Sequence, residues 1–132
     1  VNRADDGSAI LELVTVAVLL MVPLVYVLLT VFAVQRAAFA VSSAAREAGR
    51  AYVTADAASV AAERAQTAAD LALDDQLPGA PRADLTLDAN GLTPGEAVTV
   101  TVTYRVHLPL SGGAATVPVT ATHVATVDRY RR

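Results

Sequence analysis

The stretch that decides the reading runs Gly7-Ser8-Ala9-Ile10-Leu11-Glu12 and then, without a break, LVTVAVLLMVPLVYVLLTVFAV from Leu13 to Val34. From position 13 to position 34 no residue carries a charge, and only Thr15, Pro23, Tyr26 and Thr30 interrupt the aliphatic run. At about 1.5 Å of rise per residue, such a run spans the roughly 30 Å of a bilayer's hydrocarbon. Lipid offers the backbone no hydrogen-bond partners, so a lone apolar segment satisfies its own as an α-helix, whatever its content of β-branched valine. A transmembrane helix is therefore expected over residues 8–35, with Pro23 the place for a kink.

The carboxylate at the head of this run needs a reason. A charge at a bilayer centre costs about 2.5 to 3.5 kcal/mol on insertion scales, and near the interface it still forfeits hydration. Two readings of Glu12 stand side by side. In one it rests at headgroup level, where its charge favours the helix N-terminus and its stem reaches back to water. In the other, Gly7 ends a short polar leader, VNRADDG over residues 1–7, a peptidase cuts between Gly7 and Ser8, and Glu12 becomes the fifth residue of the mature chain.

Gly7, Ser8 and then Glu12 heading a long apolar run resembles the class III signal of type IV pilin-like proteins. The wording GSAILEL is similar to that of the TadE-like minor pilins of tight-adherence (Flp-type) pili. The resemblance covers about the first third of the chain and rests on two fixed residues plus the apolar run. It implies cleavage after Gly7 by a membrane prepilin peptidase, Ser8 as the new N-terminus, and Glu12 as the carboxylate that answers a neighbouring subunit's free amine. Its implied partners are the bilayer, the peptidase, other pilin-like subunits and the pilus assembly machinery. Physical chemistry agrees with those roles: glycine puts no side chain in a protease cleft, and pairing a buried carboxylate with a buried ammonium leaves neither charge alone. Leu13 follows Glu12 where major Flp pilins usually carry tyrosine, and a sizeable C-terminal region is present; both departures favour a minor pilin or pseudopilin over the bulk filament subunit.

A chain of 132 residues has room for one membrane helix and one small domain. The net charge of −3 is mild, and past Val34 nine arginines face ten acids with no basic patch, so no nucleic-acid surface is indicated. Cysteine is absent, which removes disulfides, thiolate metal sites and thiol nucleophiles. The flanking charges do not favour a cytoplasmic leader: Arg3 stands against Asp5 and Asp6, whereas Arg36, Arg46 and Arg50 follow the apolar run. A first residue of valine points to a different start or to residues upstream, and a few basic ones there would remove the conflict. An ordinary secretory signal, cut near Ala38-Phe39-Ala40, fits less well, because its apolar core runs about 7 to 15 residues.

Beyond the apolar run, Gln35 to Ala55 keeps strong helix formers and no proline, with Phe39, Ala45, Ala48 and Tyr52 near a helical period. The rod is expected to continue into water as far as Tyr52, and Gly49 could let another helix approach. A second alanine-rich segment, Asp56 to Gln76, can line Val60, Ala61, Ala65, Ala68, Ala69 and Leu73 on one face, with Thr54 or Asp56 as its cap. Whether the helical region over 36–77 is continuous or broken near Thr54 to Asp56 stays open at this level. Leu77-Pro78-Gly79-Ala80-Pro81 terminates it.

After Pro81 the period becomes alternating, and residues 82–132 read as a small antiparallel β domain. Strands are expected over Asp84 to Ala89, Ala97 to Leu108 and Ala115 to Asp128, with turns at Asn90-Gly91, Pro94-Gly95 and Gly112-Gly113. In the middle strand Val98, Val100, Val102, Tyr104, Val106 and Leu108 point one way, and Thr99, Thr101, Thr103, Arg105 and His107 the other. In the last, Val117, Val119, Ala121, Ala125 and Val127 share a face with His123. A sheet with one greasy face needs a cover, and the soluble part of the first helix is available. The fold class is thus α+β: a long N-terminal helix, a second helical segment and a three-stranded antiparallel sheet.

No catalytic constellation emerges. His107 and His123 lack a third ligand at metal-site spacing, and the expectation is a solvated His107 and a hydrogen-bonded His123. Ser42, Ser43, Ser59 and Ser111 lie outside any nucleophile-elbow context, and Asp74-Asp75 reads as a polar helix end. Neither a metal nor a cofactor is expected. The sequence reads as a structural pilus subunit, membrane-bound with its C-terminal domain extracytoplasmic, and a peptidase substrate rather than an enzyme. The alternative is a signal-anchored binding or sensor domain that meets its partner with the threonine-rich sheet face.

Overall fold

The computed structural model describes residues 3–108 and 114–130. The elements follow in the order α1 (Arg3–Val53), α2 (Ala58–Gln76), β1 (Asp84–Asp88), β2 (Ala97–His107) and β3 (Thr116–Thr126), an α+β arrangement. The turn at Gly112-Gly113, Ser111 and the last two residues, Arg131 and Arg132, lie outside the described residues.

α1 is a single helix of 51 residues, about 76 Å long at 1.5 Å per residue, and it continues through Pro23. It starts earlier than the expected Ser8, taking in Arg3 to Gly7. Two regimes divide it. From Ala9 to Arg36 almost every residue faces outward, and from Ala37 onward one face is buried by the rest of the chain. The boundary coincides with the end of the apolar run at Val34, so the part of the helix with membrane-spanning character carries no protein cover. Its two threonines hide their hydroxyls within the helix: Thr15 Oγ1 donates to the Leu11 carbonyl at 2.7 Å, and Thr30 Oγ1 to Tyr26 at 2.9 Å. Such i−4 bonds spare an apolar environment two free O–H groups.

The helical region is broken, not continuous. α1 ends at Val53, Ala55 is buried in the corner, and α2 begins at Ala58 and runs back along α1. Neither expected cap serves: Thr54 Oγ1 donates back to the Arg50 carbonyl at 2.8 Å, and the Asp56 carboxylate pairs with Arg64 at 2.7 Å. Ala57 takes the N-cap position with extended backbone and no side-chain cap. The far end of α2 is held better. Arg36 Nε donates to the Gln76 carbonyl at 2.9 Å, placing a cation at the negative end of the helix. Gly79, at φ 79°, turns the chain and donates its N–H to Asp74 Oδ1 at 2.9 Å, so Asp74 is a structural acceptor at the helix end.

Alanine makes the hairpin close. Ala61, Ala65, Ala69 and Leu73 repeat every fourth residue on α2 and are fully buried, whereas Val60 and Ala68, expected on the same face, remain partly or largely exposed. On α1 the buried face is Ala37, Ala40, Val41, Ala44, Ala45, Ala48 and Tyr52. Phe39, expected among them, is 72% exposed; its neighbours at the correct angle are alanines that α2 and the sheet cover.

The sheet has the order β1-β2-β3, antiparallel throughout, with Leu85 opposite Val102 and Val100 opposite His123. The alternation is as read: Val98, Val100, Val102 and Val106 are buried on β2, and Ala125 and Val127 near the end of β3. α1 lies across β2 and β3 as the cover for this face. β1 and β2 are each one residue shorter than expected and β3 three, one at its start and two at its end, although Val127 prolongs the pairing by donating to the Glu96 carbonyl at 2.9 Å.

Candidate functional site

Gly7, Ser8 and Glu12 lie in the first turns of α1, the end of the molecule furthest along the helix from the folded domain. Glu12 stands four residues, just over one turn, beyond Ser8, which puts both on one helix face with about 6 Å of rise between them. Every residue from Ala9 to Val25 is exposed. Leu11 and Leu13, on either side of Glu12, are 69% and 70% exposed, and further along Leu19 is 71% exposed. The ion pairs among the described residues are Arg64–Asp56 and Arg82–Asp70, so Glu12 is paired with no cation among them. A carboxylate at the head of an uncovered apolar rod is thereby available to a group from outside the chain. The helix is long and apolar enough to cross a membrane, with a mean hydropathy of 2.7 over its most apolar window.

The other residues singled out in the sequence go elsewhere. β2 and β3 do pair, yet His107 opposes Thr116 while His123 opposes Val100, seven register positions away and on the other face of the sheet. His107 is exposed. His123 does not have the hydrogen bond expected of it among the described residues; it packs against α1, where a Cβ on Gly49 would lie 3.0 Å from His123 Cδ2. Among the described residues no three His, Asp or Glu side chains converge as a metal site requires. The threonine face is ordered by its own hydroxyls, Thr101 to Thr122 at 3.2 Å and Thr103 to Thr120 at 3.0 Å.

Two positions have a part that the sequence did not disclose. Gly49 admits a strand rather than a helix: its absent side chain is the space taken by His123, Ala125 and Val100. Asp70 ties β1 to α2, since its Oδ1 accepts from the Ala83 N–H at 2.8 Å and from Gln66 Nε2 at 3.0 Å. Gln66 also donates to the Ala83 carbonyl at 3.0 Å, so the pair at i and i+4 on α2 holds both backbone groups of the residue before β1. Their helical spacing was the available signal, and only the fold reveals what it grips. No family model matches this chain, and comparison with curated proteins and with solved structures gives no match either.

Proposed function

We propose that the chain is a membrane-anchored, prepilin-like structural subunit, a TadE-like minor pilin or pseudopilin of a tight-adherence pilus or related secretion filament. In this reading a prepilin peptidase cuts after Gly7, Ser8 becomes the N-terminus, and the folded domain lies on the extracytoplasmic side. The observation that carries the reading is Glu12, paired with no cation among the described residues, at the head of an apolar helix that is exposed throughout from Ala9 to Val25. A carboxylate brought into lipid or into a helix bundle is costly until a cation joins it, and a neighbour's new α-ammonium is a group that cleavage itself creates.

Cleavage asks the first two turns of α1 to open, and Gly7 is the weak point, costing a helix about 1 kcal/mol relative to alanine. The domain then has a mechanical role: α2 and the sheet, clasped around the second half of α1, keep the apolar half upright and available to neighbours. A signal-anchored binding domain is the rival, resting on the threonine face.

The test is coexpression of the full chain with an active prepilin peptidase and an assembly system. Gly7→Leu is expected to remain uncut, and Glu12→Ala to be cut yet fail to enter the assembly. Normal incorporation of Glu12→Ala would remove the pairing role, and an uncut wild-type chain would leave the rival.

A further inference from the structure

The side of the helix hairpin turned away from the sheet carries two complementary charge features. Along α1, Phe39, Ser42, Arg46 and Arg50 follow at spacings of three, four and four, one stripe of a helix. Arg46 donates a hydrogen bond to Ser42 Oγ at 2.9 Å, and neither Arg46 nor Arg50 meets a carboxylate among the described residues. Between α1 and α2 runs an open groove with a floor of small residues, Ala51, Ala68 and Ala72. Its lips carry Glu47, Glu63 and Asp75, none of them in an ion pair among the described residues, together with Arg64, whose charge is already met by Asp56 at 2.7 Å, and Leu71 stands up from it 67% exposed.

We propose that this groove receives the Phe39–Arg50 stripe of a second copy of the chain. Charge complementarity selects the occupant. A basic stripe with one aromatic fits an acidic groove with one leucine, and both are present on every molecule. Arg46 and Arg50 lie about 6 Å apart along the helix, close enough to meet successive acids on the groove lips. Stripe and groove are different surfaces, so the contact is heterologous: each copy offers its stripe to one neighbour and its groove to another. Such a contact propagates instead of closing at two. The proposal rests on the reading above only in standing both copies upright in one bilayer, which brings the two surfaces to similar height and raises their effective concentration.

The chain has no cysteine, so a pair introduced by mutation reports cleanly. Ser42→Cys marks the stripe and Thr67→Cys marks the groove, and both leave every charge in place. Full-length chains carrying one or the other, reconstituted in lipid vesicles, are expected to give an oxidative cross-link when mixed and at least tenfold less when either is present alone. Arg46→Glu with Arg50→Glu on the Ser42→Cys chain abolishes the product, and Glu47→Arg with Glu63→Arg on the Thr67→Cys chain restores it. Equal cross-linking of Ser42→Cys with itself, no cross-link in the mixture, or capture of a different protein at Thr67→Cys in native membranes would each overturn the proposal. Scoring the N-terminus of the same samples separates the two ideas. A chain cut after Gly7 that does not cross-link loses the groove contact and keeps the subunit reading; a cross-linked, uncut chain does the reverse.

Discussion

Replacing Gly49 by alanine sets two calculable effects against each other. Gly49 lies in the last turns of α1, where alanine gains about 1 kcal/mol of helix propensity over glycine. The new methyl would lie 3.0 Å from His123 Cδ2, 3.3 Å from Ala125 Cβ and 3.6 Å from Val100 Cγ2. The first contact is with a ring that can turn aside; the second is with a Cβ fixed to the β3 backbone, which moves only if the strand moves. Overpacking of this kind costs about 1 to 3 kcal/mol, so the loss outweighs the gain and a net destabilisation of about 1 kcal/mol is expected. For the folded part of the chain that is a fall in Tm of roughly 4 to 8 °C, read by far-UV circular dichroism of the detergent-solubilised protein. Gly49→Ala in an Ala125→Gly background has lost the contact that cannot give, and there the substitution should be neutral or stabilising. If Gly49→Ala stabilises the unaltered chain, or costs the same in both backgrounds, the helix–sheet seam is not packed as described.

Three further outcomes follow from the same packing. Leu73→Ala removes the one large side chain fully buried on α2 and should cost about 2 to 5 kcal/mol, measured as a shift in denaturant midpoint. Asp70→Ala releases the Ala83 N–H and the Gln66 amide, a loss of about 2 kcal/mol; hydrogen exchange should quicken over Asp84–Asp88 and stay slow at Val98 to Val102. Glu96 has a buried carboxylate oxygen, Oε2, with no hydrogen-bond partner among the described residues, so Glu96→Gln should raise stability by roughly 1 kcal/mol in thermal melts.

The parts of the fold that could be read from sequence are those in which side chains contrast sharply with a fixed period. AVTVTVTYRVHL alternates valine with threonine, and β2 buries the valines. The apolar run to Val34 declares its own extent, and the domain's cover over α1 begins three residues later, at Ala37. Alanine-rich helices give no such contrast. In AAFAVSSAAREAG every face holds small residues, so Phe39 drew the expected core toward itself while the real contact face, Ala37-Ala40-Ala44-Ala48, was chosen by what α2 could approach closely. The break between α1 and α2 was hidden for a related reason: Ala57 occupies the cap position, and the two residues with capping side chains spend them elsewhere. Gly49 signalled close approach, expected of another helix, and the sheet makes it instead. Gly7, Ser8 and Glu12 are read from their order along the chain alone, since the roles proposed for them would be played toward other molecules.

The most direct test of the account is the N-terminal residue of the chain recovered from membranes of cells with an active prepilin peptidase, read by Edman degradation or by mass spectrometry of the first peptide. The account predicts Ser8, with Glu12 fifth in the mature chain. Recovery of the chain with Arg3 to Gly7 still attached would contradict it.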